Sequence, residues 1–549
     1  YIPKKLFIIK LFIIKIFKNK TNLKIMLPFN IFLNYYSNLN LFLENKSPLT
    51  HVLKKYGVVF HLLLVYKMLN FYKNRSLVQM SLSYFTKLPL IRDKVNSEID
   101  KIEKDISKDL NKHTIGIPKA NRLLESQKED DIKKIMLRLL ETNQKNNKIS
   151  GAIYRNNPKL DKFILSVFHL FHGTNALHPN IFPGIKRMET DLVSMVLNLF
   201  NGNDNCSGVI TSGGTESILM ACKAYRENGY KKGIINPEMI VCNTAHAAFD
   251  KAASYFKIKL VRISLDDNRK MNVVELKKKI NKNTVLVVTS APEYTHGIVD
   301  DIETISEIAF KKGIGCHVDC CLGGFILPFL KTNIKYDFTL KGVTSISSDF
   351  HKYGQSPKGI SIIMYNSQDL MRNQYYINSD WTGGIYATAT MTGSRPGNII
   401  ALTWATLQFI GFDGYKKFAN EIIETKDYLL KELRKLKHIF IYGDPKLCII
   451  GIGSKKFDIC LLNDLMTEKG WNLNVMQFPT SLHLCLTHYH TQDEVKKLFI
   501  NDISDCINNI ITSNREYETS SSIYGTSQKI KNRNLVYQVS QRYLDCLYK

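Results

Sequence analysis

The sequence predicts an α/β protein: a large domain built on a mostly parallel seven-stranded sheet, a smaller C-terminal α+β domain, and an N-terminal membrane-anchor segment. Three observations carry that prediction. Short β-branched runs alternate with amphipathic helical runs from about 205 to 365, the pattern of strand–helix units laid on one sheet. Helix–strand alternation resumes from about 405 to 510, which suits a smaller domain packed against the first. Near the N-terminus, the apolar run 56–66, extended by residues 68–72, lies between lysines.

The bulk properties narrow the choice. At 549 residues the chain exceeds one ordinary domain, and 44% apolar residues suffice for a sizeable core. The net charge is +26, but lysine is scattered along the whole chain and is richest in 1–92 and 251–282. Few of these runs interleave aromatics as a base-stacking surface would, so no nucleic-acid partner is expected. A general lysine-rich bias together with an affinity for anionic membrane surfaces is the plainer reading. Eleven cysteines, an odd number without framework spacing, point to reduced thiols in a cytosolic compartment. Cys316, His317, Cys320 and Cys321 lack the spacing of a zinc knuckle and read as buried strand residues, so no metal site is expected.

Taken in order, residues 1–48 form a tail whose first 17 positions are hydrophobic but broken repeatedly by lysine. No small-residue cleavage site follows, and Met26 offers an alternative start. Residues 49–75 are read as the anchor. Its 11-residue core, interrupted by His61, is short of the roughly 20 residues a bilayer needs, but Lys54, Lys55 and Lys67 can snorkel from its ends. A single N-terminal anchor is expected, with an interfacial amphipathic helix as the competitor. Residues 76–150 are a charged lead-in and linker, helical from about 93 to 148. The large domain, 151–404, holds strands at 207–211, 239–242, 259–263, 284–289, 314–319, 343–348 and 360–365. Helices at 215–228, 247–256, 272–281 and 301–312 separate them. In the small domain, 405–549, residues 415–436 read as helical and 439–442 and 447–452 as extended.

Ligands on such sheets collect at the carboxyl ends of strands, where Thr215, Asp319 and Lys352 fall. Residues 209–216 read as strand, glycine turn and helix start. There Gly213-Gly214-Thr215 lets backbone approach a phosphate whose charge the helix dipole favours. Alone, such a turn is ordinary punctuation. Asp319 ends an apolar strand and would keep a pyridine nitrogen protonated; a helix-capping aspartate is the bland alternative. Lys352 closes the run Ser345-Ile-Ser-Ser-Asp-Phe-His-Lys352 and would form an imine with an aldehyde. The apolar run before it and Pro357-Lys-Gly359 after it disfavour a plain surface lysine. His246 opens a helix after a strand, where an imidazole would stack on a ring or merely cap the helix. A lysine for an aldehyde, an acid for a ring nitrogen and a helix start for a phosphate are together what pyridoxal phosphate requires.

These residues carry a resemblance. Asp349-Phe-His-Lys-Tyr-Gly-Gln-Ser-Pro-Lys-Gly359 resembles the cofactor-lysine motif of the sphingosine-1-phosphate lyases. Runs at 177–184, 211–225, 317–324, 380–386, 393–397, 469–474, 477–479 and 523–525 resemble the same family, and the match covers roughly 76–549. The resemblance implies a fold-type I pyridoxal-phosphate enzyme of the group II decarboxylase-like superfamily. It implies an obligate homodimer with active sites at the subunit interface, held at the endoplasmic-reticulum membrane with its catalytic domain in the cytosol. The reaction implied is retro-aldol C2–C3 cleavage of a phosphorylated long-chain base to a fatty aldehyde and phosphoethanolamine. By motif position Lys352 would hold the cofactor, Asp319 its ring nitrogen and His246 its ring face. His351 and Ser394 would contact the cofactor phosphate, as would Gly214 and Thr215 across the dimer. Tyr154, His178 and Lys358 would take the substrate phosphate, and Lys352 or Tyr353 would exchange protons. Gln355 stands where the family commonly has an aromatic, Cys320 where it has alanine and Asn180 where it has aspartate; none removes a required group. Two readings compete. An amino-acid decarboxylase of the same fold has no use for a second phosphate site. A catalytically inactive, membrane-tethered interaction protein would be marked by loss of Lys352 or Asp319.

Overall fold

The structure, a computed structural model, describes residues 89–117, 126–143, 146–512 and 533–548. The expected tail 1–48, the expected anchor 49–75 and the run 523–525 lie outside the described residues. Among the described residues no helix is long and apolar enough to cross a membrane. Among the described residues chain contacts define two compact units, the first made of those up to Lys112 together with those from 533 on, the second of those from His113 to 512.

In the first unit α1 (Pro89–Asn111) packs along the C-terminal helix Arg533–Leu547. Ile99, Ile106, Val539 and Cys546 are buried there. Arg542 reaches Glu103 at 3.4 Å and Asp100 at 3.9 Å.

The second unit opens with α2 (Glu129–Glu141), then α3 (Pro158–Phe171) and α4 (Pro183–Leu199). Both α3 and α4 start on proline, whose missing N–H costs nothing in the first turn. Next come β1 (Ser207–Thr211), α5 (Gly214–Lys231), β2 (Glu238–Cys242), α6 (Ala248–Phe256) and β3 (Lys259–Ile263). They are followed by α7 (Val273–Lys279), β4 (Thr284–Ser290), α8 (Ile302–Lys312), β5 (Gly315–Asp319), β6 (Ser345–Ser348) and β7 (Ser361–Tyr365). The predicted strand ends agree with these to within two residues.

The seven strands run in the order β1-β7-β6-β5-β4-β2-β3. Only β7 is antiparallel to its neighbours, so the sheet is mostly parallel. β2, β4, β6 and β7 are buried at every position, as expected where helices cover both faces. Asp301 caps α8 by accepting from Thr304 N, and Gly313 ends it at φ 64, a left-handed turn that glycine adopts without strain. That turn aims β5, and with it Asp319, at the carboxyl edge of the sheet.

After β7 come α9 (Gln368–Arg372), the hairpin β8 (Tyr376–Asn378) with β9 (Tyr386–Thr388), and α10 (Gly397–Leu433). The sequence placed a helix at 415–436, whereas α10 begins at Gly397 and bends at Gly411, where φ is 63 and ψ 175. Ile400, Ala401, Leu402, Thr403, Ala405, Thr406 and Leu407 are all buried. A helix apolar on every side has no periodic face for a pattern to reveal. The helix also runs across residue 404, the domain boundary read from the sequence. A four-stranded antiparallel sheet completes the unit: β10 (Phe440–Ile441), β11 (Ile449–Gly453), β12 (Asn474–Met476) and β13 (Ser481–Cys485), in the order β10-β11-β13-β12. α11 (Ile459–Glu468) and α12 (Asp493–Thr512) pack beside it.

Candidate active site

The centre of the site is the turn from β6 back to β7. Lys352 lies three residues beyond Asp349, and its Nζ stands 2.8 Å from Asp349 Oδ2. His351 Nε2 lies 3.5 Å from the same oxygen. Asp349 is buried, and its other oxygen, Oδ1, has no hydrogen-bond partner. Burial pushes the Asp349 carboxyl up, but the charges of Lys352 and His351 outweigh it and hold it below the usual carboxylate range. Burial likewise works to lower Lys352, and Asp349, aided by Cys321 and Asp319, turns the balance and raises it. His351 is held below the ordinary histidine value, by burial first.

The start of α5 faces this turn. No side chain caps the helix at Gly213, so its first amides remain available to an anion. A Cβ on Gly214 would stand 2.8 Å from both Asp349 Oδ1 and Cys321 Sγ; on Gly213 it would stand 3.4 Å from His351 Cε1. Only glycine allows the helix start so close. Thr215, on the first turn, is exposed. Glu216 braces the loop, accepting from Ser212 N and Ser212 Oγ at 2.6 Å each and from Met391 N at 2.8 Å.

Asp319 sits at the end of β5, in register with Ser290 of β4 and Ser347 of β6. Its Oδ1 accepts from Cys321 N at 3.0 Å and from Ser347 Oγ at 3.4 Å. His246 follows β2 and is exposed; its Nδ1 accepts from Ala248 N at 3.1 Å, which leaves Nε2 to carry the ring proton of the neutral form.

Lys358 Nζ donates to His351 O at 3.0 Å and lies 4.6 Å over the ring of Tyr154. Burial first, then the charge of Lys352, bring Lys358 down to about 8. Tyr154 meets Tyr353 edge-on, ring centroids 5.0 Å apart. Tyr353 itself is buried, and its hydroxyl donates to Leu486 O at 2.6 Å, with Cys485 Sγ at 3.4 Å. That hydrogen bond ties the lysine turn to the backbone at Leu486.

His178 and Ser394 are both exposed. Asn175 joins them: its Nδ2 donates to Ser394 Oγ at 3.1 Å, and its Oδ1 accepts from Leu177 N at 3.0 Å and Arg395 N at 3.2 Å. Arg395 forks onto Glu189, with Nη2 3.2 Å from Oε2, an ion pair within one chain. Sequence reasoning assigned no role to Asp349, Asn175, Glu216 or Cys321. Asp349 had a legible signal, a carboxylate three residues before the lysine; the others depend on contacts distant in sequence.

An uncapped helix start, a lysine amine beside it and a carboxylate at the end of β5 fit pyridoxal phosphate in its three demands. Residues 130–452 match the family described as the pyridoxal-dependent decarboxylase conserved domain. Over 473 residues the chain is 40% identical to sphingosine-1-phosphate lyase 1 of Mus musculus, spanning 84% of this chain and 83% of that one. With the sphingosine-1-phosphate lyase of Saccharomyces cerevisiae it shares 37% over 480 residues, 84% of this chain and 81% of that one. Among solved structures it resembles the sphingosine-1-phosphate lyase of Burkholderia pseudomallei, at 33% identity and TM-score 0.69, over 72% of this chain and 94% of that one. A glutamate decarboxylase of Lactobacillus brevis, 18% identical with TM-score 0.65 over 74% of this chain and 99% of that one, shares the fold.

Proposed function

The chain belongs to the sphingosine-1-phosphate lyases, a family of pyridoxal-dependent carbon–carbon lyases, and on that premise we propose how its residues serve the reaction. The substrate is a phosphorylated long-chain base, cut between C2 and C3 into a fatty aldehyde and phosphoethanolamine. Bound in the site, pyridoxal phosphate supplies an electron-poor ring that accepts the electron pair released as the C2–C3 bond breaks.

In this reading Lys352 would hold the cofactor covalently through Nζ. Asp319 keeps the ring nitrogen protonated, and His246 lies on the ring face. The start of α5, with Gly214, Thr215 and His351, receives the cofactor phosphate. Lys352 Nζ is the proton carrier, since the hydroxyl of Tyr353 is engaged by Leu486 O.

The observation that carries the substrate assignment is Lys358. It is a cation that forms no ion pair among the described residues, held 4.6 Å over Tyr154 and six positions past Lys352. A phosphate beside the reacting amine supplies the anion that such a group lacks. His178 would complete the phosphate site with Tyr154 and Lys358.

The same reading makes the protein a homodimer with shared active sites. The exposed pair His178 and Ser394, tied through Asn175, suits delivery to a second subunit's site. The exposed apolar side chains Phe163, Leu165, Leu170 and Phe412 suit burial by another copy. Residues 49–75 would anchor it at the endoplasmic reticulum, with the large domain 151–404 and small domain 405–549 in the cytosol. The deciding assay follows aldehyde release from phosphorylated and unphosphorylated long-chain bases, with Lys352→Ala as control. Faster turnover of the phosphorylated base, abolished in the control, is expected; equal turnover of both refutes the second phosphate site.

A further inference from the structure

Asp349 is costly where it stands. A carboxylate taken out of water loses several kcal/mol of hydration unless cations and donors replace it. Here Lys352 and His351 both approach Oδ2, at 2.8 and 3.5 Å, while Oδ1 faces the start of α5 without a well-formed hydrogen bond, the Ser361 hydroxyl being the nearby donor to this carboxyl. A carboxylate kept only to brace the turn would be expected to have both oxygens satisfied, as Glu216 does with Ser212 and Met391 nearby. Asp349 instead turns one oxygen to the Lys352 amine, with His351 farther off, and keeps acceptor capacity on the other. The closeness of Gly214 is part of the same arrangement, since any side chain there would collide with this carboxylate.

We propose that Asp349 is the positioning residue of Lys352, a buried carboxylate that receives the lysine ammonium whenever that amine is not bound to the cofactor. The proposal rests on the assignment of Lys352 as the cofactor lysine and extends it to a part of the cycle in which the amine is free. Docked on Asp349, the amine keeps its proton, is a poor nucleophile, and cannot compete with the substrate for the cofactor. It is also held as an acid within reach of the site. The other groups bearing on this pair are His351 on the same turn, Lys358 beyond it, Cys321 and Asp319 from the end of β5, and Tyr154. Of the groups bearing on Lys352, only Asp349 both touches its nitrogen and carries a charge opposite to it.

The test reads Lys352 itself and requires no turnover. Full-length protein freed of cofactor is treated with an amine-acylating reagent over a range of pH, and modification of Lys352 is quantified by peptide mass spectrometry. The exposed Lys416 in the same digest serves as the reference. In the wild type, Lys352 should react at a higher pH than Lys416. In Asp349→Asn the midpoint should fall by at least about one unit, a roughly tenfold faster reaction at fixed pH, because removing an opposite charge at this distance shifts an amine by 1–3 units. Should the variant not fold, the wild-type comparison alone decides: a Lys352 that reacts at or below the pH of Lys416 overturns the proposal. A shared profile in wild type and Asp349→Asn overturns it too. In holoenzyme, loss of the long-wavelength absorbance of the protonated lysine–cofactor bond should move to lower pH in Asp349→Asn. An unmoved midpoint counts against Asp349, whereas protein that takes up no cofactor counts against the assignment of Lys352.

Discussion

Replacing Lys358 with Gln removes a cation and keeps a donor of similar length. If Lys358 binds the substrate phosphate, the loss is that of a charge-assisted hydrogen bond, about 1.5–3 kcal/mol. At 1.4 kcal/mol per tenfold, this predicts a rise in KM of about 10- to 100-fold. The Lys358 side chain as a whole is exposed in the single chain while its nitrogen is partly desolvated over Tyr154 and against His351 O, so solvent screening places the effect towards the lower end. The pH dependence is sharper still. Lys358 loses its proton near 8, lowered by burial first and by Lys352 second. Its ammonium is therefore present below that pH and is lost as pH rises through it. The substrate phosphate completes its second ionisation near 6, below this window. The wild-type KM should accordingly rise above about pH 8 by up to about tenfold per unit, and that rise should be absent in Lys358→Gln. The assay is steady-state aldehyde release from a soluble short-chain phosphorylated base across neutral to alkaline pH. A wild-type KM that stays flat from about pH 7 to about pH 9, or an unchanged KM in the variant, would falsify the phosphate role.

Other substitutions probe other parts of the account. Gly214→Ala puts a methyl 2.8 Å from Asp349 Oδ1 and Cys321 Sγ. Relieving that overlap costs about 1–3 kcal/mol, so cofactor affinity read by absorbance titration should weaken about tenfold or more; unchanged affinity contradicts the packing. Tyr353→Phe leaves Leu486 O without its donor and should lower unfolding stability by about 1–3 kcal/mol, with kcat kept within about tenfold. Unchanged stability with kcat reduced more than about a thousandfold would instead make Tyr353 catalytic. Acid should weaken the fold. His296 is lowered to about 3, and His317 and His490 to about 4, in each case mainly by burial. Their folded values lie below the unfolded one, so the stability they contribute is present above about pH 6.5 and is lost as pH falls below it. Each contributes a loss on the order of 2 kcal/mol by about pH 5, and the urea midpoint should drop between pH 7 and 5. A constant midpoint would show that these rings take up protons within the fold.

The sheet was legible because its strands are short, β-branched and separated by amphipathic helices, so period and length agree at each. The start of α10 was hidden for the opposite reason: Ile400 to Leu407 face apolar neighbours all round and bend at Gly411. Lys352, His351 and Lys358 share one turn, and their mutual placement followed from local spacing. Tyr154 lies about two hundred residues from Lys358 in sequence and was placed beside it only through the family resemblance. The partner of the Tyr353 hydroxyl, Leu486 O, lies more than a hundred residues on and had no local signature either. The clip by which Asn175 joins the His178 turn to Ser394 spans more than two hundred residues and had no local signature.

Borohydride reduction of purified protein followed by peptide mass spectrometry tests the central claim most directly. A pyridoxyl phosphate adduct is expected on Lys352, diminished when a phosphorylated long-chain base is added before the reductant. An adduct on another lysine, or none on protein saturated with cofactor, would contradict it.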